Sequence, residues 1–276
     1  MGQVVVITGL ADGMGRITAA KLAQAGHSIA GFDIDSEKLS TLQKELDDIG
    51  GEHLLEVINI VDRGKVLTFR DQVLEKYNHV DIVLSNVGIG FFSPFEETDL
   101  DKALKCLEIN VIGAAAIFQA FLPSMRERRS GKMVAMSSLV GRIPFPFESI
   151  YTASKFAITG LMQAIRLEVQ HFGIEVALIE PAQVSTGFAA KIHVLPEEKS
   201  PYHDRARRFI ERDNELIKTA PTPEFAANKI VEVLMADKMS FFNQIDFQSK
   251  FFLCLNQFLP RRIRDAILVN HMDIKV

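Results

Sequence analysis

The chain lacks the features that would place it in several large protein classes. Its 276 residues include only two cysteines, Cys106 and Cys254. Two thiols cannot make a disulfide framework, and without a CxxC pair they cannot build a zinc finger. The seven histidines show no HExxH or comparable spacing, so no metal is expected. There is no basic excess either. The 31 Lys and Arg residues face 35 Asp and Glu, giving a net charge of −4, which argues against a nucleic-acid partner because phosphate binding needs a concentrated positive face. Uninterrupted apolar runs are short: Phe251–Leu255, the longest near the end, is far below the ~18 residues that span a bilayer. A strand-like run begins at Val4 with no basic segment before it and no cleavage site after it, so the expectation is a protein without a targeting segment, in a reducing, cytoplasmic setting. Internal repeats and low-complexity stretches are also missing.

What is present is enough apolar material, 47% of residues, for one large core. Six short β-branched runs read as buried strands: Val4–Thr8, Ser28–Phe32, Leu54–Ile58, Ile82–Leu84, Lys132–Met136 and Glu175–Ile179. Between them lie longer stretches with apolar residues at helical spacing, such as Leu39, Leu42 and Leu46. Parallel strands need crossovers of a dozen residues or more, so this alternation predicts an α/β fold, a doubly wound parallel sheet of about seven strands with helices on both faces. Residues 1–240 form one dinucleotide-binding and catalytic domain in this reading. The charged, proline-punctuated stretch 187–222 is its lid, with a helix over Asp204–Ile217, and 241–276 is a helical tail.

The strand ending at Thr8 runs into Gly9-Leu10-Ala11-Asp12-Gly13-Met14-Gly15 and then into a helix. Glycines let the backbone turn tightly and approach a pyrophosphate, and the helix behind them offers free N–H groups and a positive dipole end. Asp33 closes the second strand, 24 residues after Gly9. A carboxylate there accepts hydrogen bonds from both ribose hydroxyls of NAD and repels the 2′-phosphate of NADP, by ~1 kcal/mol at 4 Å in water and ~4 kcal/mol at an effective dielectric of 20. Asp12 adds a second negative charge, so NAD is favoured over NADP; Arg16 is the one residue that could swing to a phosphate.

Tyr151 and Lys155 stand at i, i+4 in Tyr-Thr-Ala-Ser-Lys, one turn apart on one helix face. A free tyrosine holds its proton too tightly to act as a base near neutrality. An ammonium nearby favours the phenolate, so Lys155 is expected to lower the pKa of Tyr151 and make it an acid/base. Ser138 ends a strand thirteen residues earlier, where open α/β sheets place their ligands.

Six pieces, in order, resemble the short-chain dehydrogenase/reductase family over roughly residues 3–190. They are Thr8–Gly15 (Thr-Gly-x-x-x-Gly-x-Gly), Ser85-Asn86-Val87-Gly88, Asn110, Ser138, the Tyr151/Lys155 pair, and Pro181-Ala182-Gln183-Val184-Ser185-Thr186. The resemblance implies reversible hydride transfer between NAD(H) and an alcohol or ketone carbon. It implies Tyr151 as the acid/base, Ser138 holding the substrate oxygen, Lys155 binding the nicotinamide ribose, and Asn110 holding a water that relays protons to Lys155. It also implies Thr8 stabilising the turn, Gly88 letting the cofactor lie close, and Val184 and Thr186 contacting the nicotinamide amide. Met14, Ile60, Asn86, Val87 and Pro181 join the cofactor-binding set. Three departures stand out: Asn59 where many relatives carry an adenine-contacting Asp, Ser85 and Val87 in the motif after the fourth strand, and Ala182 in place of glycine.

Phe145 and Phe147, flanked by prolines, together with Gln183 and Phe188, are the expected substrate contacts besides Ser138. They point to a small lipophilic alcohol or ketone of steroid, retinoid, terpenoid or fatty type; Lys191, His193 and Arg205 leave room for an acidic group on it. The Phe-rich tail with Arg261, Arg262 and Arg264 is read as packing on the core or on a partner subunit, with peripheral membrane contact as the other use. The family resemblance implies a homodimer or homotetramer. Two other functions remain open at this point: an NADPH-dependent 3-ketoacyl-type reductase, and a catalytically silent NAD-sensing protein.

Overall fold

A computed structural model describes residues 2–185, 192 and 194–275. The expected strands form, with ends shifted by one residue at most. They are β1 (Val4–Thr8), β2 (Ser28–Asp33), β3 (Leu54–Val57), β4 (Ile82–Ser85), β5 (Gly131–Met136) and β6 (Ile174–Glu180). The central strands β1 and β4 are buried on both faces, which is why they read as nearly continuous apolar runs, whereas the edge strand β3 is only partly buried. A seventh strand, β7 (Phe242–Gln244), has no sequence signature. It is three partly buried residues long and lies inside the stretch expected to be helical tail, so that tail contributes a strand before it becomes helical. Gln244 Nε2 donates to the buried Glu180 at 2.7 Å, and the Arg142 guanidinium stacks on Phe242 at 4.1 Å.

All pairings are parallel, in the order β3-β2-β1-β4-β5-β6-β7. The order reverses between β1 and β4, so the chain diverges there and leaves a crevice at the strands' carboxyl ends. The crossover helices are α1 (Gly13–Gln24), α2 (Ser36–Ile49), α3 (Arg63–Tyr77), α4 (Leu100–Leu107), α5 (Ala114–Arg128) and α6 (Ser149–Val169). Among the described residues, α7 (His203–Lys218), α8 (Pro223–Met235), α9 (Phe247–Phe258) and α10 (Arg261–His271) follow β6. Two cores result. One lies under α3, α5 and α6, around Phe32, Phe69, Phe118 and Phe121; the other lies under α1, α2 and α8, around Ile7, Leu22, Leu42 and Ile230. A one-turn π-helix, Glu108–Gly113, joins α4 to α5. The rod Leu100–Arg128 is long and apolar enough by composition to span a membrane, but 44% of its apolar window is buried inside the protein, as a core helix requires.

A third, smaller cluster ties α7 to the tail. Phe209 of α7 packs with Phe92 at 5.6 Å and Phe147 at 5.8 Å, and Met272 and Ile274 complete it. Arg205, Arg208 and Arg212 of α7 donate to the main-chain carbonyls of Ile274, Asp273, Lys275 and His271.

Candidate active site

One cavity of about 700 Å³ runs along the crevice, from the glycine turn to the start of α6. At its first end Gly9 has φ +68° and Gly13 φ +54°, conformations that L side chains rarely adopt. A Cβ on Gly15 would stand 2.4 Å from the Gly9 carbonyl oxygen, whereas one on Gly13 would meet open space. The turn is therefore packed behind and empty in front, over the N-terminus of a twelve-residue helix, a cradle that suits a pyrophosphate. Asp12 occupies the cap, accepting from Gly13 N at 2.8 Å. Thr8 Oγ1 accepts from Asn86 N and Val87 N, and Asn86 Nδ2 donates to Gly9 O at 2.8 Å, so the turn after β4 is sewn to the turn after β1.

Asp33 lines the same cavity, one oxygen accepting from Ala11 N and the other from Asp35 N. Lys38 also lines it, paired with Asp12 and near Asp35; as an ordinary helix residue it carried no motif. Arg16 turns away to Glu45 at 2.7 Å and to Thr41 at 2.8 Å, bracing α1 on α2. Asn59 and Ile60 line the cavity beside Met14, Val87 and Gly88. The Asn59 side chain also accepts from Val61 N at 3.3 Å. This end fits a dinucleotide.

At the other end Ser138, Tyr151, Lys155, Pro181, Gln183 and Val184 line the cavity together. The Ser138 hydroxyl hydrogen-bonds Tyr151. Lys155 Nζ donates to Met136 O at 2.8 Å and sits 5.6 Å from the Tyr151 ring centroid. Asn110 sits in the π-helix, an insertion that aims its side chain inward. Its Oδ1 accepts from Ile89 N at 2.8 Å, and its Nδ2 donates to Ile89 O and to Ser154 Oγ. Asn110 thus braces the loop after β4 against α6, behind Lys155.

The electrostatics depart from the expected pattern. Burial, followed by the Glu148 carboxyl, pushes the Tyr151 pKa up; the Ser138 hydrogen bond opposes this and does not overcome it. Burial pulls Lys155 down to about 8. The expected lowering by Lys155 does not set the balance: burial and Glu148 do, and the resting tyrosine is a phenol. Glu148 lines the cavity and is buried, with its own pKa pushed up to about 8 by burial and by Asp213. It ends a Pro-Phe-Pro-Phe run that reads as loop, so only the fold reveals it.

The expected substrate contacts divide. Phe145 lines the cavity; Phe147 does not, and instead packs into the aromatic cluster of Phe92 and Phe209 with φ +63°. Gln183 lines it and donates to Asp213 at 2.6 Å. Arg205 serves the tail, not the cavity. Thr186, Phe188, Lys191 and His193, with much of the lid's first half, lie outside the described residues. The tail covers a side pocket of about 70 Å³ that shares Leu139, Phe145, Ala182 and Gln183 with the main cavity, while Phe247, Phe251 and Phe258 face solvent.

Comparison with known proteins agrees with this geometry. A family model described as short chain dehydrogenase matches residues 3–194. The chain is 31% identical over 216 residues to the 3-ketodihydrosphingosine reductase of Bacteroides thetaiotaomicron, covering 76% of this chain and 77% of that one. It is 30% identical over 247 residues to human 17-beta-hydroxysteroid dehydrogenase type 1, covering 85% and 75%. Some relatives are longer: the match covers 59% of mouse dehydrogenase/reductase SDR family member 7B. Among solved structures, a short chain dehydrogenase/reductase from Burkholderia phymatum in complex with NAD superposes with a TM-score of 0.81 over 100% of this chain and 97% of that one, at 22% identity. Other solved structures of this fold hold NADP or 5-hydroxy-NADP.

Proposed function

Because the chain belongs to the short-chain dehydrogenase family of oxidoreductases, we propose that it interconverts a lipophilic secondary alcohol and its ketone with NAD(H). The observation that carries this reading is one cavity holding both ends of the chemistry: the glycine turn with Asp33, and Ser138 with Tyr151 and Lys155. When bound, a nicotinamide cofactor supplies or accepts the hydride. The turn at Gly9–Gly15 would hold its pyrophosphate, Asp33 its adenosine ribose and Lys155 its nicotinamide ribose. The chain's own residues manage the oxygen and the proton. The Ser138 hydroxyl orients the substrate oxygen. The Tyr151 phenol gives that oxygen a proton when a ketone is reduced and takes one when an alcohol is oxidised. A phenol whose pKa is held up is protonated at neutral pH, which is the state that reduction of a ketone starts from. Incubation of the protein with NADH or NADPH and a panel of ketones, followed by absorbance of the reduced cofactor, tests the reading; no turnover with any ketone or alcohol would remove it.

NAD is proposed over NADP because Asp12, Asp33 and Asp35 surround the cavity's one described lysine at that end, Lys38. A ribose phosphate arriving there meets three carboxylates and one ammonium. Hydrogen bonds to a charged group are worth ~1.5–3 kcal/mol, or roughly 10- to 100-fold in affinity. Asp33→Asn is therefore expected to lower the preference for NADH over NADPH at least about tenfold, read as the ratio of dissociation constants from cofactor fluorescence. An unchanged ratio would assign the preference elsewhere.

A homodimer or homotetramer is proposed as the working state, in the cytoplasm. Leu100 and Leu104 on α4, and Phe156 and Leu167 on α6, are large apolar residues left 44–70% exposed on the two helices that flank the site, the kind of surface that self-association covers. Sedimentation of the purified protein should give a dimer or tetramer, and a charged residue at Leu104 should shift it toward monomer.

A further inference from the structure

The tail packs on the core with one side and leaves another bare. On α9, Leu253 is buried, and Phe252, Leu255, Asn256 and Leu259, just past its end, line the side pocket. Its solvent side shows Phe247, 81% exposed, Phe251, 51%, and Phe258, 79%, with Cys254 exposed between them. Steps of four, three and four residues keep these four side chains within a stripe about 60° wide along the helix. On α10, Ile263 and Ile267 are also exposed, one turn apart. A surface helix ordinarily turns polar residues outward. One that turns out a row of aromatic rings carries a surface made to be covered.

The charges beside the stripe indicate what covers it. Lys250 follows Phe247 by three residues, and Arg261 and Arg262 follow Phe258 by three and four, past Leu259 and Pro260. All three cations are exposed. Arg261 faces Asp265 at 3.6 Å; Lys250 and Arg262 have no carboxylate partner among the described residues. A second copy of the chain is a poor fit, because a twofold interface lays a patch on itself and would set cations against cations. Self-association also has another surface, on α4 and α6, in the reading above. A surface of anionic lipid attracts each cation, about fivefold in affinity apiece, and takes the rings at its headgroup boundary. A twelve-residue helix is about 18 Å long, short of the ~30 Å of a hydrocarbon core. It can lie on a bilayer and cannot span one.

We propose that α9 and α10 dock the protein on an anionic phospholipid membrane, with Phe247, Phe251 and Phe258 entering the headgroup boundary and Lys250, Arg261 and Arg262 meeting lipid phosphates. The proposal stands apart from the oxidoreductase reading and extends it in one respect. The docked helix has the side pocket on its inner side, and that pocket shares Leu139, Phe145, Ala182 and Gln183 with the main cavity. One helix then separates the lipid from the space in which a lipophilic ligand is proposed to react.

Vesicle binding tests it without any turnover. The full chain should partition at least about tenfold more strongly onto vesicles of phosphatidylcholine containing one third phosphatidylglycerol than onto phosphatidylcholine alone, read by cosedimentation. The chain has no tryptophan, so Phe251→Trp supplies a single reporter. Its emission should shift to the blue on the anionic vesicles and be quenched by brominated acyl chains. Phe247→Ser with Phe258→Ser, and separately Lys250→Glu with Arg262→Glu, should each lower partition onto anionic vesicles at least about tenfold. These side chains are exposed, so melting temperatures should stay near the native value. If a variant fails to fold, the native chain's contrast between the two vesicle types decides the matter. No binding to anionic vesicles, or equal binding to both types, overturns the proposal. Serine variants that keep full vesicle binding but dissociate the oligomer overturn it as well, and assign the face to a second copy. An absence of turnover with every alcohol and ketone would remove the oxidoreductase reading and leave each of these outcomes readable.

Discussion

Tyr151→Phe is expected to lower turnover by two to four orders of magnitude, the scale of a positioned acid or base, while cofactor affinity stays within about threefold. The substitution removes one oxygen from a buried side chain and leaves the ring, so packing changes little. The oxygen it removes is the one that Ser138 hydrogen-bonds. Steady-state kinetics with cofactor binding measured separately on the same variant checks both halves. Turnover near that of the native enzyme would mean that the proton comes from elsewhere. A parallel loss of cofactor affinity would mean that the phenol is structural. The pH profile adds a sign. With Tyr151 held up by burial and Glu148, oxidation needs a base that forms only as pH rises, so its rate should climb through the alkaline range, whereas reduction should hold at neutral pH.

Glu148→Gln carries the largest expected effect on stability. The Glu148 carboxyl has a pKa of about 8 in the folded protein against an ordinary value of 4.5. A raised acid binds its proton more tightly when folded, so its contribution is fully present below pH 4.5 and is lost as pH climbs to about 8. At 1.36 kcal/mol per unit, that loss reaches up to about 5 kcal/mol above pH ~8. Glutamine fills the same space and does not titrate. The variant should therefore melt close to the native protein near pH ~4.5 and several degrees above it near pH ~9. Melting curves across that range decide the matter: parallel curves at every pH would show that Glu148 is ionised in the folded protein already. The groups around it are Asp213, which opposes its charge, and the Tyr151 phenol, whose proton its charge helps to retain.

Much of the fold was legible because buried parallel strands have no polar face to disguise them. Val4–Ile7 and Ile82–Leu84 are apolar throughout, each followed by one small buried hydroxyl residue, Thr8 or Ser85, and the loops between elements carry the turn residues that end them. β7 was not legible: Phe-Asn-Gln is too short to show any period, and its place is set by Glu180, Arg142 and the sheet edge. The cofactor end was legible because its glycines and Asp33 follow a strand at fixed spacing. The substrate end was legible only in part. Sequence spacing puts Lys155 one turn after Tyr151, but the burial that dominates the phenol's pKa, and the Glu148 carboxyl that adds to it from the N-cap position, belong to the fold. Phe147 shows a second limit. Its Pro-rich neighbourhood places it near Tyr151, but a left-handed backbone turns the ring into the cluster around Phe209.

The three arginines that reach from α7 to the chain end bind carbonyl oxygens, not side chains. Every amino acid brings the same carbonyl, so the latch tolerates drift at exposed positions such as Asp273 and Lys275, while a change at Arg205, Arg208 or Arg212 removes a donor that nothing at the far end can restore. Natural variants of this protein should therefore wander freely in the last exposed residues and hold their cationic character along α7. Grafting a different tail to alter the side pocket should preserve the docking of α7 as long as the new backbone ends its helix at the same place.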